Sequence, residues 1–239
     1  MLNCPCRQVF RFKQFQICQD QAAMKVGTDG VLLGAWTRIE NAQTALDVGT
    51  GTGLLALMLA QRNAGLQIDA VELDSLAAKQ AQFNVQASPW KDRISVFNVD
   101  FQQFTAIMGY DIIISNPPFF DEQTISPAKQ RQMARHTAHL DIQTLLSKTA
   151  ALLSPKGRLS IIYPATKYDE ILRVATQNNL FINRLTFVKG NTNVKAKRIL
   201  IELSRQQTNI EENFLIIEHE RHVYTDAYVE LTKDFYLKM

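Results

Sequence analysis

The chain has 239 residues, 46% of them hydrophobic and 21% charged, with a formal net charge of +3. That is enough apolar material for one large domain, and it excludes a disordered or low-complexity chain. No apolar run approaches the roughly 18 residues of a membrane span, and no signal peptide is visible, so a soluble cytoplasmic protein is expected.

Three cysteines, Cys4, Cys6 and Cys18, lie near the start. An odd, small number argues against a disulfide framework and fits a reducing compartment. Cys4-Pro5-Cys6 has no second ligand pair at zinc spacing, so no metal is expected. The modest positive charge permits a nucleic-acid partner provided the cations cluster.

Residues 1–24 read as a lead-in, with Phe10, Phe12 and Phe15 spaced by Arg11 and Lys13 as in an edge strand; residues 25–239 read as a single domain. Lys25-Val26-Gly27-Thr28-Asp29-Gly30 opens an amphipathic helix to about Ile39, with Thr28 or Asp29 as its cap. Lys25, Gly27 and Thr28 then either cover a ligand or simply begin a surface helix. Thr44 to Val48 is a buried strand, followed by Gly49-Thr50-Gly51-Thr52-Gly53 and a helix from Leu54. Strand, glycine turn and helix in this order form the ligand-binding start of a doubly wound sheet. A dinucleotide fingerprint needs a third glycine where Leu54 stands, and the turn here is preceded instead by Asp47.

Ile68 to Asp74 is the second strand. Glu72 falls at its carboxyl end, where an acid can accept both hydroxyls of a ribose. Asp74 caps a helix from Ser75 to about Ala87, with Leu76, Ala77, Ala81 and Val85 facing inward. Arg93 to Asp100 is the third strand, and Asp100 ends it as a ligand contact or as a loop cap.

The fourth strand, Asp111 to Ser115, organises the rest. Ile112, Ile113 and Ile114 are a β-branched run of the kind buried on both faces. Pro117 and Pro118 end it abruptly, because proline donates no ladder hydrogen bond. Asn116 is thereby delivered at the carboxyl end of a parallel strand, where open α/β sheets bind ligands. Its amide oxygen and the carbonyls of the two prolines accept hydrogen bonds, and Phe119 offers a flat apolar face. Acceptors beside a stacking plane suit a planar substrate with an exocyclic amino group.

Residues 121–141 are polar and read as a substrate loop; Arg131 and Arg135 share a helix face and either grip phosphate or are simply solvated. His136 and His139 lack a carboxylate companion at metal spacing. A helix over 142–153, a turn over 154–157, a strand over 157–163 and a helix over 167–178 follow. Strands over 182–189 and 198–203 are joined by a loop rich in cations, in which Lys195, Lys197 and Arg198 are either an RNA-contact patch or a solvated surface. A last strand over 213–218 and a terminal helix over 224–235 complete the chain. The alternation of strands and helices defines an α/β fold with a mostly parallel doubly wound sheet.

Asp47 with Gly49, Gly51 and Gly53 resembles motif I of class I S-adenosylmethionine-dependent methyltransferases, and Asn116-Pro117-Pro118-Phe119 resembles the motif of the enzymes that methylate adenine, cytosine or guanine amino groups or a glutamine amide. That resemblance implies a Rossmann-like, seven-stranded sheet with helices on both faces, S-adenosylmethionine as cofactor, Asp47 on the methionine ammonium, Glu72 on the ribose, Asp100 on the adenine, and Lys25, Gly27, Thr28 and Asn116 beside them. At family level, Lys25 to Trp36, Asp69 to Leu73, Ser115 to Phe119 and Asp234 to Leu237 look like the bacterial tRNA(Val) adenine N6-methyltransferases. The implied substrate is adenosine-37 beside the anticodon. The implied catalytic group is Asn116, Pro117, Pro118 and Phe119, with tRNA as partner, no metal and a monomeric chain. An rRNA base methyltransferase, a protein glutamine-amide methyltransferase and a catalytically silent RNA chaperone remain as alternatives.

Overall fold

The computed structural model describes residues 6–21, 24–118 and 140–239. Within these the strands are β1 (Val9–Arg11), β2 (Gln16–Cys18), β3 (Thr44–Val48), β4 (Gln67–Glu72), β5 (Ile94–Asn98), β6 (Tyr110–Ser115), β7 (Leu153–Pro164), β8 (Phe181–Lys189), β9 (Arg198–Ser204), β10 (Glu211–Ile216), β11 (Glu218–Glu220) and β12 (Val223–Tyr224). The helices are α1 (Thr28–Trp36), α2 (Leu54–Arg62), α3 (Ser75–Gln86), α4 (Ile142–Leu152), α5 (Tyr168–Gln177) and α6 (Asp226–Thr232).

Among the described residues, eight strands form the main sheet in the order β10-β8-β9-β7-β6-β3-β4-β5. All pair in parallel except β9, which is antiparallel to both β7 and β8. The expected seven strands become eight because β10 adds to the far edge beside β8. It runs from Glu211 to Ile216, two residues earlier than the sequence pattern placed it.

The reversal of strand order between β3 and β6 opens a crevice at their carboxyl ends. Both strands are buried on both faces, and alternate residues feed two cores. Ala45, Ile112 and Ile114 pack with α1 and α2, whereas Leu46 and Ile113 pack with α4 and α5.

Several local expectations change. Helix α1 begins at Thr28 with Gly27 as an extended N-cap and no side-chain cap, so neither Thr28 nor Asp29 caps it, and it ends at Trp36 rather than Ile39. Leu76 is 52% exposed instead of facing the core. Ser154–Gly157 is an irregularity within β7 rather than a separate turn, and the register against β6 shifts between Tyr110 and Ile112 to accommodate it.

Phe10, Phe12 and Phe15 do not edge the main sheet. They belong to a separate β1–β2 hairpin whose rings stack on one another and on the end of the chain, with Phe12 and Phe15 centroids 4.6 Å apart and Phe12 6.0 Å from Tyr236. The same hairpin pairs Val9 with Cys18 and brings Cys6 to a Cα–Cα distance of 5.8 Å from Cys18, where the two form a disulfide. Counting cysteines could not anticipate this, because pairing depends on the hairpin register.

Gly157 fixes the seam between β6 and β7. A β-carbon there would collide with the Tyr110 carbonyl oxygen and stand 2.9 Å from the Ser154 nitrogen. Both neighbours are backbone, so neither can swing away. Gly157→Ala is therefore expected to cost about 2 kcal/mol or more of stability, read as a lower midpoint in urea unfolding; an unchanged midpoint would mean that the seam is slack.

Candidate active site

A cavity of about 640 Å³ lies at the carboxyl ends of β3, β4 and β6, roofed by the start of α1. Its wall is built from four short pieces: Lys25–Gly30, the turn Gly49–Thr52, Glu72–Asp74 and the pair Asn116 and Pro118. Leu76, Val99, Phe101 and Leu140 add an apolar side, and Asp100 stands among them.

The turn after β3 has left-handed backbone at each glycine, with φ of 69° at Gly49, 58° at Gly51 and 83° at Gly53. A side chain there would be strained; Gly49 and Gly51 line the cavity, whereas Gly53 lies against Ala81 of α3. The Gly49 and Thr50 N–H groups both donate to the Val71 carbonyl at 3.0 Å, which ties the turn to β4. Glu72, the last residue of β4, accepts from the Gly51 N–H at 2.9 Å through Oε2 and from the Asp74 N–H at 2.9 Å through Oε1. The carboxylate is thus aimed by two backbone donors, and each oxygen keeps lone-pair capacity for a ligand on the cavity side. Asp74 caps α3 as expected, accepting from Leu76 and Ala77. Asp100 accepts from the Gln102 N–H at 2.9 Å while lining the cavity, so it combines loop cap and wall.

Asp47 departs from its expected place. It is buried within β3 beneath the turn and does not line the cavity. Its Oδ2 accepts from Thr50 Oγ1 at 2.5 Å and from the Ala56 N–H at 3.1 Å, so it splices the turn to α2. A residue inside a strand points where the pleat dictates, and here that is away from the ligand side. Burial, despite these two hydrogen bonds, pushes its carboxyl up to about 7.

Asn116 follows β6 directly. The strand end is held on one side by the Ser115 hydroxyl, which donates to the Val48 carbonyl at 2.8 Å. On the other it is held by pairing of Ser115 with Ile161. Asn116 Nδ2 faces Gly30 of α1, 3.8 Å from where a β-carbon would stand. Its Oδ1 is buried and has no hydrogen-bond partner among the described residues. An orphan acceptor of this kind costs about 1–3 kcal/mol unless a donor arrives, and a ligand amino group is such a donor.

The roof carries its own opportunity. Helix α1 presents its first turn to the cavity with no side-chain cap, so its first N–H groups and the positive end of the helix face inward. Asp29 in that turn is bound by Arg198 at 2.9 Å. Arg198 therefore braces the cavity rim, whereas Lys195 and Lys197 stand exposed on the preceding loop. Phe119, Arg131, Arg135, His136 and His139 lie outside the described residues. Gln21, Met24, Leu73 and Leu76 line the cavity without having been singled out for it. Leu76 was open to recognition, since a leucine in the first turn after a strand-end cap sits at the crevice.

An open doubly wound sheet with an antiparallel strand at its far side, a glycine turn after β3 and an acid at the end of β4 define a class I S-adenosylmethionine-dependent methyltransferase. The described folds agree. A crystal structure of a predicted O-methyltransferase from Agrobacterium tumefaciens superposes with a TM-score of 0.67 at 17% identity, covering 87% of this chain and 96% of that one. The ribosomal protein L11 methylase of Lactobacillus delbrueckii subsp. bulgaricus does so with a TM-score of 0.56 at 15% identity, covering 79% and 83%. Residues 26–184 match the family described as methyltransferase small domain.

Full-length relatives narrow the class. The tRNA1(Val) (adenine(37)-N6)-methyltransferase of Phocaeicola vulgatus is 46% identical over 230 residues, covering 96% of this chain and 98% of its own. Proteins of the same name from Flavobacterium psychrophilum and Trichodesmium erythraeum are 45% and 47% identical, with coverage of 97% and 100%, and of 96% and 98%. The chain belongs to the tRNA1(Val) (adenine(37)-N6)-methyltransferase family.

The buried Asp47 has a signature in stability. Its folded carboxyl titrates near 7 against a reference of 3.8. Between those values the folded state holds a proton that the unfolded state has released, so the group's contribution is fully present below about pH 4 and is lost as pH rises through 7. At about 1.4 kcal/mol per pKa unit the loss is at most about 4 kcal/mol. Asp47→Asn keeps an acceptor for Thr50 and Ala56 and removes the titration. Urea midpoints are therefore expected to fall more from pH 5 to pH 8 in the wild type than in the variant; parallel slopes would place the carboxyl's titration in the ordinary range.

Proposed function

We propose that the protein transfers the methyl group of S-adenosylmethionine to N6 of adenine-37 in tRNA1(Val). The observation that carries the chemistry is the unpaired Oδ1 of Asn116, buried at the end of β6 beside a cavity wide enough for a nucleoside cofactor. The identity of the base follows from the family.

The cavity residues fit the cofactor by the chemistry of their donors and acceptors. The uncapped first turn of α1 suits a carboxylate, Glu72 suits ribose hydroxyls, and Leu76, Val99 and Phe101 with Asp100 suit a purine with an amino edge. S-adenosylmethionine supplies an electrophilic methyl group on a sulfonium.

The protein's part is to place and polarise the acceptor. Adenine N6 is a weak nucleophile because its lone pair is delocalised into the ring. Asn116 Oδ1 accepts one N–H of the amino group, and the backbone carbonyl next to it in the chain, at Pro117, is assigned the other. Both hold the nitrogen in one orientation and stabilise positive charge as it develops. An adenine inside a helical stack cannot reach this acceptor pair, so the base must turn out of its loop. Phe119 next to Pro118 is assigned the stacking face for it.

Single-turnover methylation of an unmodified tRNA1(Val) transcript should place N6-methyladenosine at position 37, and a transcript with guanine at 37 should accept nothing. Asn116→Ala is expected to slow the step by roughly a hundredfold, the usual loss for one preorganised electrostatic partner, with little change in S-adenosylmethionine affinity. A near-normal rate would take the chemistry away from Asn116. Lys195 and Lys197 are assigned to phosphate contacts. Removing both should lower the log–log salt slope of tRNA binding by about 1.4–1.8, and an unaltered slope would exclude them.

A further inference from the structure

The far edge of the sheet carries a feature that the reaction at Asn116 does not use. Strand β10 is the outermost strand, and edge strands are normally blunted with charge and polar side chains. Glu211, Glu212 and Asn213 follow that rule. Phe214 breaks it: the ring is 64% exposed on the outermost strand.

The ring is not loose. Phe214 pairs directly with Phe187 of β8, and the two rings stack at 5.4 Å with an interplanar angle of 22°. Phe187 is anchored against the core beneath α4 and α5. Lys189, on the same side of β8, holds its ammonium 5.8 Å from the Phe214 ring centroid. The loop that follows adds Lys195 and Lys197, both exposed, and none of these three lysines forms an ion pair among the described residues. Glu211 is committed to Arg38 and Arg184, and Glu212 lies opposite Leu185, four residues before Lys189 on β8.

Register places this platform at the same height along the strands as the end of β6, on the sheet face opposite the one on which Asn116 faces α1. Phe187 lies opposite Ile199, and Ile199 opposite Tyr163. Ile161 lies opposite Ser115, so the row through Tyr163 continues to Pro117. Four strand spacings of about 4.8 Å separate the two ends of the row, roughly 19 Å, which is some five or six nucleotides of a stacked strand at about 3.4 Å each.

We propose that Phe214, backed by Phe187 and Lys189, is a stacking platform for a second base of the substrate RNA, several nucleotides away from the methylated adenine. The inference rests on the tRNA reading above. A flat exposed ring beside unpaired cations is the chemistry of single-stranded nucleic-acid sites, where base stacking gives affinity and the lysines follow the backbone. A protein partner of acidic character would use the lysines but has no need of a supported ring.

The test compares Phe214→Ala and Phe214→Trp with the wild type, each confirmed as folded by its melting curve, using a tRNA1(Val) transcript. Phe214→Ala is expected to raise the transcript's dissociation constant about 5- to 100-fold, the range set by losing one base–aromatic stack, with the loss appearing in KM for tRNA rather than in kcat. Phe214→Trp should keep wild-type affinity and show indole emission that is quenched when the transcript is added. Wild-type affinity in Phe214→Ala, or no quenching in Phe214→Trp, overturns the platform. So does a wild-type dimer that Phe214→Ala dissociates, which would assign the ring to a second copy of the chain. Failure of the wild type itself to bind and methylate the transcript refutes the functional reading instead, and the two failures are therefore separable.

Discussion

The central constraint is the way β6 stops. Ile112, Ile113 and Ile114 are locked between β3 and β7, so the strand cannot shift along its axis without breaking two ladders. Two prolines then forbid the ladder from continuing. The result is a chain end fixed in position but stripped of partners, and Asn116 occupies it. An unpaired buried amide oxygen is unfavourable in the isolated protein, and only a well-anchored strand can hold it there. The cavity, the glycine turn and the roof of α1 are arranged around this unsatisfied acceptor.

Rigidity around the site comes from carboxylates that face the protein rather than the ligand. Asp47 ties the glycine turn to α2, Glu72 ties it to β4 and the start of α3, and Asp74 closes α3. Of the three, Glu72 and Asp74 combine bracing with a place on the cavity wall, and Asp47 lies beneath it. A turn with three left-handed glycines has no stiffness of its own, and these bonds supply it.

Much of this was legible from the residues. Strand continuity is a local property, so apolar runs ended by glycine, by an acidic helix cap or by proline located β3, β4 and β6 and their carboxyl ends. The family emerged from short motifs set in that order. What escaped depends on contacts between distant parts. Asp47 stands next to a glycine turn in the sequence, yet the pleat points it inward. Leu76 has the spacing of a core residue, yet the crevice lies where its neighbours would have to be. The pairing of Cys6 with Cys18 needed the register of a hairpin, and the place of the last strand in the main sheet needed the free edge of β8. Phe214 was not singled out, because nothing in a linear pattern distinguishes an inner strand from an edge.

The first hairpin and the last residues of the chain hold each other. Phe12 bridges to Tyr236, and the Lys13 ammonium donates to the carbonyls of Lys233 and Met239 across as many as 226 residues. Contacts of such separation form late, because the loop they close carries a large entropy cost before any of it is recovered. During synthesis the opening segment emerges first and must wait for the end of the chain before Phe12 is covered. A nascent chain shortened at its carboxyl end would therefore leave uncovered an aromatic cluster that Tyr236 otherwise packs against, and exposed apolar surface of that kind favours aggregation.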